Sequence, residues 1–199
     1  MYLPVVPLLF LVLTGVLPAE EGGSGHYMPG SAASFIDALP GRPSVSVVDF
    51  FTSYQGDVGF SRWTFEPCAS VSWLSSKIGL EISAFAGFDF NTRNEDTDYT
   101  TGTQFHLDFT VAEHLPLWGG FIGIGFNGFC YDQITGDSGT GAKLGDFTGR
   151  TLGVGPVLSY ATKLCGKYDL VSEIKWLPEL DVANRANGDY VWCKFAVVF

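Results

Sequence analysis

The sequence has few charged residues, few histidines and no long apolar run beyond its first 19 residues. Only 16% of the 199 residues are charged and 3 are histidine, whereas soluble domains carry about 25% charged residues. No later stretch approaches the roughly 18 apolar residues of a membrane helix. The 11 basic residues are outnumbered by 21 acidic ones, so the chain lacks the basic surface that a nucleic-acid partner requires.

The four cysteines form no metal-binding motif. Cys68, Cys130, Cys165 and Cys193 are far apart, and the sequence contains no CxxC pair. We therefore predict no metal and no cofactor. Three of them lie in predicted strands, which indicates buried or lipid-facing free thiols; one disulfide stays open as an alternative, with partners that the sequence does not assign.

Apolar residues are abundant but dispersed. They make up 46% of the chain, with 15% aromatic residues and 25 glycines. The clearest pattern is KIGLEISAFAGFDFN (residues 77–91), in which apolar residues occupy every second position from Ile78 to Phe90. This alternation is long enough for a tilted strand to cross a bilayer, because about 9–11 residues suffice.

Eight segments carry this pattern. They are Ser44–Tyr54, 63–73, 77–91, 103–111, Trp118–Asp132, Arg150–Thr162, Lys167–Trp176 and Tyr190–Phe199. The links at Ser75-Ser76, Leu115–Leu117 and Lys163–Gly166 are short, and those at Thr92–Gly102, Gln133–Gly149 and Leu177–Asp189 are long and polar.

An even number of strands with alternating short and long links is typical of outer-membrane barrels. We therefore predict an all-β fold, an antiparallel transmembrane β-barrel of about eight strands over residues 44–199. A soluble β-sandwich is the alternative, but it gives no reason for sorting the loops. The last strand continues to Phe199, as expected for a strand that closes a barrel.

The N-terminus has the length and composition of a signal peptide. Val5 to Leu17 is apolar, and Pro18-Ala19 precedes an acidic, glycine-rich exit, so we predict a signal peptide over residues 1–19. An interfacial anchor is the alternative, since no basic residue precedes Arg42. Residues 20–43 form a Gly/Pro-rich lead-in, periplasmic or inserted into the lumen, with one short helix predicted at Ser31–Leu39.

Several long stretches resemble one family of outer-membrane proteins. They are EGGSGHYMPGSAASFIDALPG, RWTFEPCASVSWLS, GFDFNTRNEDTDYTTGTQFHLDF, YDQITGDSGTGA, FTGRTLGVGP and the final strand. The sequence is similar here to the MetA-pathway of phenol degradation family, SphA-type. The resemblance implies a porin-like barrel in the bacterial outer membrane that passes small hydrophobic or aromatic compounds.

The resemblance also implies partners and a departure. The partners are outer-membrane lipid, small hydrophobic solutes and the barrel-assembly machinery, whose recognition signal the terminal Phe199 resembles. Members of the family are longer, and here the early motif joins the C-terminal half near Gly59–Arg62, as if a central block of strands were missing. An eight-stranded barrel has an interior that side chains can fill, so a structural or vestigial plugged barrel is the alternative function.

If the apolar faces contact lipid, a polar set faces the lumen. It consists of Arg62, Thr64, Glu66, Ser70, Glu81, Asp89, Gln104, His106, Asp108, Glu173, Lys175 and Lys194. Charges of both signs there are expected to pair and fill the barrel, because unpaired burial is costly. A polar constriction that selects solutes is the functional alternative.

The polar residues allow two further interpretations, a hydrolase site and a calcium site. His106 and Asp108 share a strand face, and with Ser70 or Ser83 they would form the site of an outer-membrane lipid hydrolase. No nucleophile motif supports this interpretation. We therefore predict that the protein is not an enzyme and has no catalytic residue. Oxygen ligands cluster between Asp89 and Asp98, but the segment lacks the glycine and glutamate of a calcium loop. A solvated outer loop is the better interpretation.

Overall fold

The computed structural model describes Gly30, residues 44–54 and residues 62–198, with the backbone alone for residues 44–54 and for Val198. The predicted signal peptide, the lead-in apart from Gly30, the helix expected at Ser31–Leu39 and the terminal Phe199 lie outside the described residues.

The described chain is an antiparallel meander. Its strands are β1 (Ser44–Tyr54), β2 (Arg62–Leu74), β3 (Leu80–Asn91), β4 (Gln104–Leu117), β5 (Gly120–Gln133), β6 (Arg150–Leu164), β7 (Tyr168–Ala183) and β8 (Asp189–Val198). Each pairs with the next along the chain, which confirms the all-β, antiparallel prediction. In the part of the chain that the structure describes, no helix has the length and apolarity needed to cross a membrane.

The short turns use residues that adopt positive φ. In the β4–β5 turn Trp118 and Gly119 have φ of 50° and 76°, and in the β6–β7 turn Cys165 and Gly166 have 52° and 69°. Two successive positive φ values are characteristic of type I′ turns, whose twist matches that of the flanking strands. These turns gather at one end of the sheet, here called the short-turn end, and the longer links at the other, the long-loop end.

Two predicted links were wrong. Leu115–Leu117 belongs to β4, and β7 continues to Ala183, so that only residues 184–188 connect it to β8. The acidic residues of this segment indicated a loop, but Leu177 and Glu179 are buried while Leu180 is 62% exposed. The alternation therefore persists, with a carboxylate at an interior position.

The polarity of the two faces is the reverse of that in a soluble protein. The outer face exposes large apolar side chains, including Trp63 (49%), Phe126 (63%) and Ile174 (47%). The inner face buries charged and polar ones, including Glu81 (1%) and Lys175 (0%). Successive residues of a strand point to opposite faces, so the period-two pattern separates the two sets.

The sheet curls around this inner face. The backbone of Gly30 bonds to Asp108 on β4 and to Lys175 on β7, three strands away, which requires the sheet to bend around it. Ladders join each described strand to its chain neighbours, and none among the described residues joins β8 to β1. The structure is thus a curled half-barrel in its described part, and closure of the barrel stays a prediction.

Candidate functional site

The inner face of the sheet carries the polar residues singled out from the sequence. Nine of them are buried: Arg62, Glu66, Glu81, Asp89, Gln104, His106, Asp108, Glu173 and Lys175. Thr64 is also fully buried, whereas Ser70 and Lys194 are half-buried. These side chains divide into three groups along the strands.

The first group lies towards the long-loop end and joins β2 to β4. His106 Nε2 is 3.0 Å from Glu66 Oε1 and 3.9 Å from Asp89 Oδ1. The Cys68 thiol donates to the same Glu66 Oε1 at 3.2 Å. Glu66, Cys68 and His106 thus place an oxygen, a sulfur and a nitrogen within 4.8 Å of one another.

The second group holds Gly30 in the middle of the inner face. The Gly30 amide donates to Asp108 Oδ1 at 2.9 Å, and its carbonyl accepts from Lys175 Nζ at 3.0 Å. Lys175 Nζ also lies 3.3 Å from Glu173 Oε1. Gly30 has a φ of +71°, which favours glycine, and a Cβ there would also require the end of the Leu177 side chain to move.

The third group lies towards the short-turn end. His114 Nε2 is 2.6 Å from Glu81 Oε2, and Ser83 donates to the other Glu81 oxygen at 2.8 Å. Ser159 approaches from β6, because a Cβ on Gly123 would meet both Ser159 Oγ at 2.3 Å and His114 Nδ1 at 2.8 Å. A carboxylate, an imidazole and a serine hydroxyl therefore lie close to one another here.

Loops cover the long-loop end of the sheet. Tyr99 and the Gly102 amide both donate to Asp137, in the link between β5 and β6. Gln133 Nε2 donates to the same carboxylate at 2.6 Å, and Arg62 reaches the hydroxyl of Thr101. The two long loops are therefore fastened to each other and to the strands below them.

A second contact between these loops lowers the pKa of Asp98. The hydroxyl and the backbone amide of Thr140 donate to Asp98, and this lowers the pKa of the Asp98 carboxyl below its ordinary value. The Arg93 guanidinium, 2.6 Å away, acts in the same direction.

The amino-acid sequence that builds this inner face matches a protein-family model. The profile "Putative MetA-pathway of phenol degradation" matches residues 50–195. The chain belongs to this family. Neither a search of curated proteins nor a search of solved structures gives a match. The profile spans the strands that build all three inner groups, so the inner face lies within the family's region.

The ladder register argues against Ser83 as the nucleophile of the Ser-His-Asp arrangement considered from the sequence. The ion-pair partners of His106 are Glu66 and Asp89, and Asp108 holds Gly30. Ser83 lies four residues from Gly87, the β-ladder partner of His106, which is about 13 Å along a strand. Ser83 is therefore out of hydrogen-bond reach of His106.

The side-chain oxygens of the segment that begins at Asp89 also contact separate partners. Asp89 is on the inner face, Asn91 Oδ1 accepts from Thr64, and Asn94 Oδ1 accepts from the Asp96 amide. Asp98 binds Thr140. These oxygens face different partners, as expected for an ordinary loop.

Sequence reasoning missed the partners of the two histidines. Period-two alternation already placed Cys68 on the same face as Glu66, but treating the cysteines as isolated thiols hid the cluster. His114 was assigned to no face, because the predicted strand ended at residue 111 and β4 continues to Leu117. Following the alternation three residues further places His114 on the same face as His106, two strand positions from Ala112, the ladder partner of Glu81.

Proposed function

We propose that this protein is an integral outer-membrane protein of the barrel class that handles small hydrophobic or aromatic compounds. The observation that carries the membrane assignment is the inverted polarity of the sheet. Membership in the phenol-degradation family supports the class of compound.

The outer face is too apolar for contact with water. Exposed large apolar side chains occur on every strand from β2 to β8, whereas soluble monomers rarely expose a contiguous apolar patch above a few hundred Å². Lipid accommodates such a face, and the buried charges of the inner face are then separated from the bilayer. Outer-membrane lipid is therefore the proposed partner of this surface.

A sheet in lipid also requires its edges to be paired. Unpaired backbone groups in hydrocarbon cost several kcal/mol each. We therefore propose that β8 pairs with β1 in the membrane, after insertion by the barrel-assembly machinery. The export signal over residues 1–19 is part of the same proposal.

Transport through the centre requires Gly30 to move. The two bonds from Asp108 and Lys175 hold its peptide in the middle of the inner face, where it obstructs a solute. We propose a channel that opens when this contact is released. A structural, plugged barrel is the second candidate, favoured by the fully buried polar side chains of the inner face.

Mobility on a denaturing gel tests the barrel itself. The chain is refolded in detergent and run with and without boiling, together with circular dichroism. A faster unboiled band with β-rich dichroism supports a closed barrel. Identical bands despite β-rich dichroism contradict closure within one chain.

Uptake of a small aromatic compound into liposomes tests transport. Asp108→Asn removes the charge that accepts from Gly30, and Asp169→Asn, on the exposed ion pair with Lys163, is the matched control. Faster uptake in Asp108→Asn alone supports a channel closed by Gly30. No uptake by either folded variant supports the plugged barrel.

We further propose that the protein is not an enzyme. Ester or lipid turnover that is lost in the His106→Ala variant would refute this proposal.

A further inference from the structure

The group formed by Glu66, Cys68 and His106, with Asp89 nearby, has the composition of a metal-binding site. Neither transport nor ion pairing inside the barrel requires such a set of ligands. Its three ligand atoms are of three kinds, a carboxylate oxygen, a thiol sulfur and an imidazole nitrogen, and all lie within 4.8 Å of one another. All three residues are buried, at 8%, 2% and 0% exposure. Two strands that are not neighbours supply them.

The ladder register explains why the ligands meet. Cys68 on β2 pairs with Gly87 on β3, and Gly87 pairs with His106 on β4. A Cβ at position 87 would lie 2.6 Å from both Cys68 Sγ and His106 Nε2. Because glycine has no side chain, the sulfur and the nitrogen can approach each other over the middle strand.

We propose that Glu66, Cys68 and His106 bind a divalent transition-metal ion of the zinc class. In tetrahedral zinc sites the bond lengths are about 2.0–2.3 Å, which places neighbouring ligand atoms about 3.4–3.6 Å apart. The separations here are 3.0 Å from Glu66 Oε1 to His106 Nε2 and 3.2 Å from Glu66 Oε1 to Cys68 Sγ. Movements of about half an ångström bring these two pairs to zinc-site separations, and Cys68 Sγ and His106 Nε2 already lie within 4.8 Å of each other.

Asp89 lies outside this group of three ligand atoms but is placed to become a fourth ligand. Its Oδ1 is 3.9 Å from His106 Nε2, and it lies two residues from Gly87 on the same face of β3. With Asp89 the site has four protein ligands, which is typical of structural rather than catalytic zinc. The ion then links β2, β3 and β4 below the loop cover.

The donor set selects the metal. Thiolate and imidazole ligands favour zinc, copper and related ions, whereas calcium and magnesium prefer oxygen alone. A second site in the same protein serves as an internal control. Glu81 and His114 form a buried carboxylate–imidazole pair at 2.6 Å, but the neighbouring residue, Ser83, has a hydroxyl in place of a thiol. We expect this second pair to bind no zinc.

Metal content of the full chain, refolded in detergent with equimolar zinc and then dialysed, tests the proposal. The expected result is one zinc per chain, lost in Cys68→Ser and in His106→Gln. His114→Gln and the combined Cys130→Ser, Cys165→Ser, Cys193→Ser variant are matched controls that keep it. Zinc retained by Cys68→Ser, or lost equally in His114→Gln, overturns the assignment.

Cobalt gives a reading of the ligands themselves. Co²⁺ added to the variant with Cys68 as its one cysteine is expected to produce a sulfur-to-cobalt charge-transfer band and the intense visible bands of tetrahedral cobalt. Gly87→Ala keeps every ligand but separates Sγ from Nε2, and we expect at least a tenfold weaker affinity. Absence of the charge-transfer band in the folded protein overturns the proposal.

Thiol protection avoids ligand substitutions altogether. In the same single-cysteine variant, zinc is expected to slow alkylation of Cys68 at least tenfold, and EDTA to restore the rate. Equal rates with and without zinc, in protein with β-rich dichroism, mean that the cluster is only an ion pair and refute the metal site.

Discussion

Replacing Lys175 with methionine tests whether the inner charges stabilise the sheet. Methionine keeps most of the side-chain length and removes the charge. Lys175 is fully buried and its Nζ contacts Glu173 at 3.3 Å and the Gly30 carbonyl at 3.0 Å. The variant therefore loses both contacts and leaves Glu173 buried without this ammonium group.

The magnitude follows from distance and surroundings. At an effective dielectric constant of about 20, opposite unit charges 3.3 Å apart attract by about 5 kcal/mol. Breaking one side of a buried pair typically costs about 3–5 kcal/mol, and we expect Lys175→Met to lower the free energy of unfolding by this amount. Lys163 and Asp169 are closer, at 2.6 Å, but more than half exposed, and Lys163→Met is expected to cost less than about 1 kcal/mol.

Urea unfolding in detergent, followed by circular dichroism, measures both variants at an unchanged m value. A double variant, Lys175→Met with Glu173→Gln, is expected to recover part of the loss because the remaining charge is also removed. Equal midpoint shifts for Lys175→Met and Lys163→Met would refute the reasoning, since burial would then have no effect.

Three further results are expected. Gly125→Ala would place a Cβ 2.1 Å from a backbone oxygen of β4 and should cost about 1–3 kcal/mol in the same urea assay, whereas Gly188→Ala, with nothing within 4 Å, should be neutral. Because the pKa of Asp98 is lower in the folded state, its contact with Thr140 stabilises the loops above the unfolded pKa of about 4 and is lost as the pH falls through the folded pKa. Limited proteolysis should therefore show increasing cleavage of the loops between pH 5 and pH 3. The Asp98→Asn variant should be cleaved equally across that range. Phe126→Arg, on the exposed outer face, should destabilise the protein in lipid by about 2–4 kcal/mol if this position lies near the bilayer midplane, and unchanged stability in liposomes would contradict lipid contact there.

Much of the fold follows from local alternation, because a period of two fixes both strand identity and the face of each residue. The bounds of β1 are those expected, and β2 extends one residue beyond the predicted segment 63–73 at each end. The failures at Leu115–Leu117 and after Leu177 share a cause. Proline and acidic residues at strand ends resemble loop composition, but here ladder pairing holds Pro116 opposite Phe121 and Pro178 opposite Asp189.

The contacts of the candidate site were less predictable. Alternation places Glu66 and His106 on the inner face, but it gives no register between strands. Which residues meet depends on the ladder that aligns Cys68, Gly87 and His106, and on the missing side chain in the middle. The position of Gly30 was still harder to foresee, since its partners are distant in sequence and the surrounding segment carries no strand pattern.

The way Gly30 is held has a consequence for the order of assembly. Its partners are 78 and 145 residues away in the sequence, whereas each hairpin of the meander forms between neighbours. Closing long loops is entropically costlier than closing short ones, and such non-local contacts slow folding. Asp108 and Lys175 also lie on strands that must first be aligned through β5 and β6. We therefore expect Gly30, the earliest-synthesised of these residues, to be secured only after β4 to β7 have been aligned.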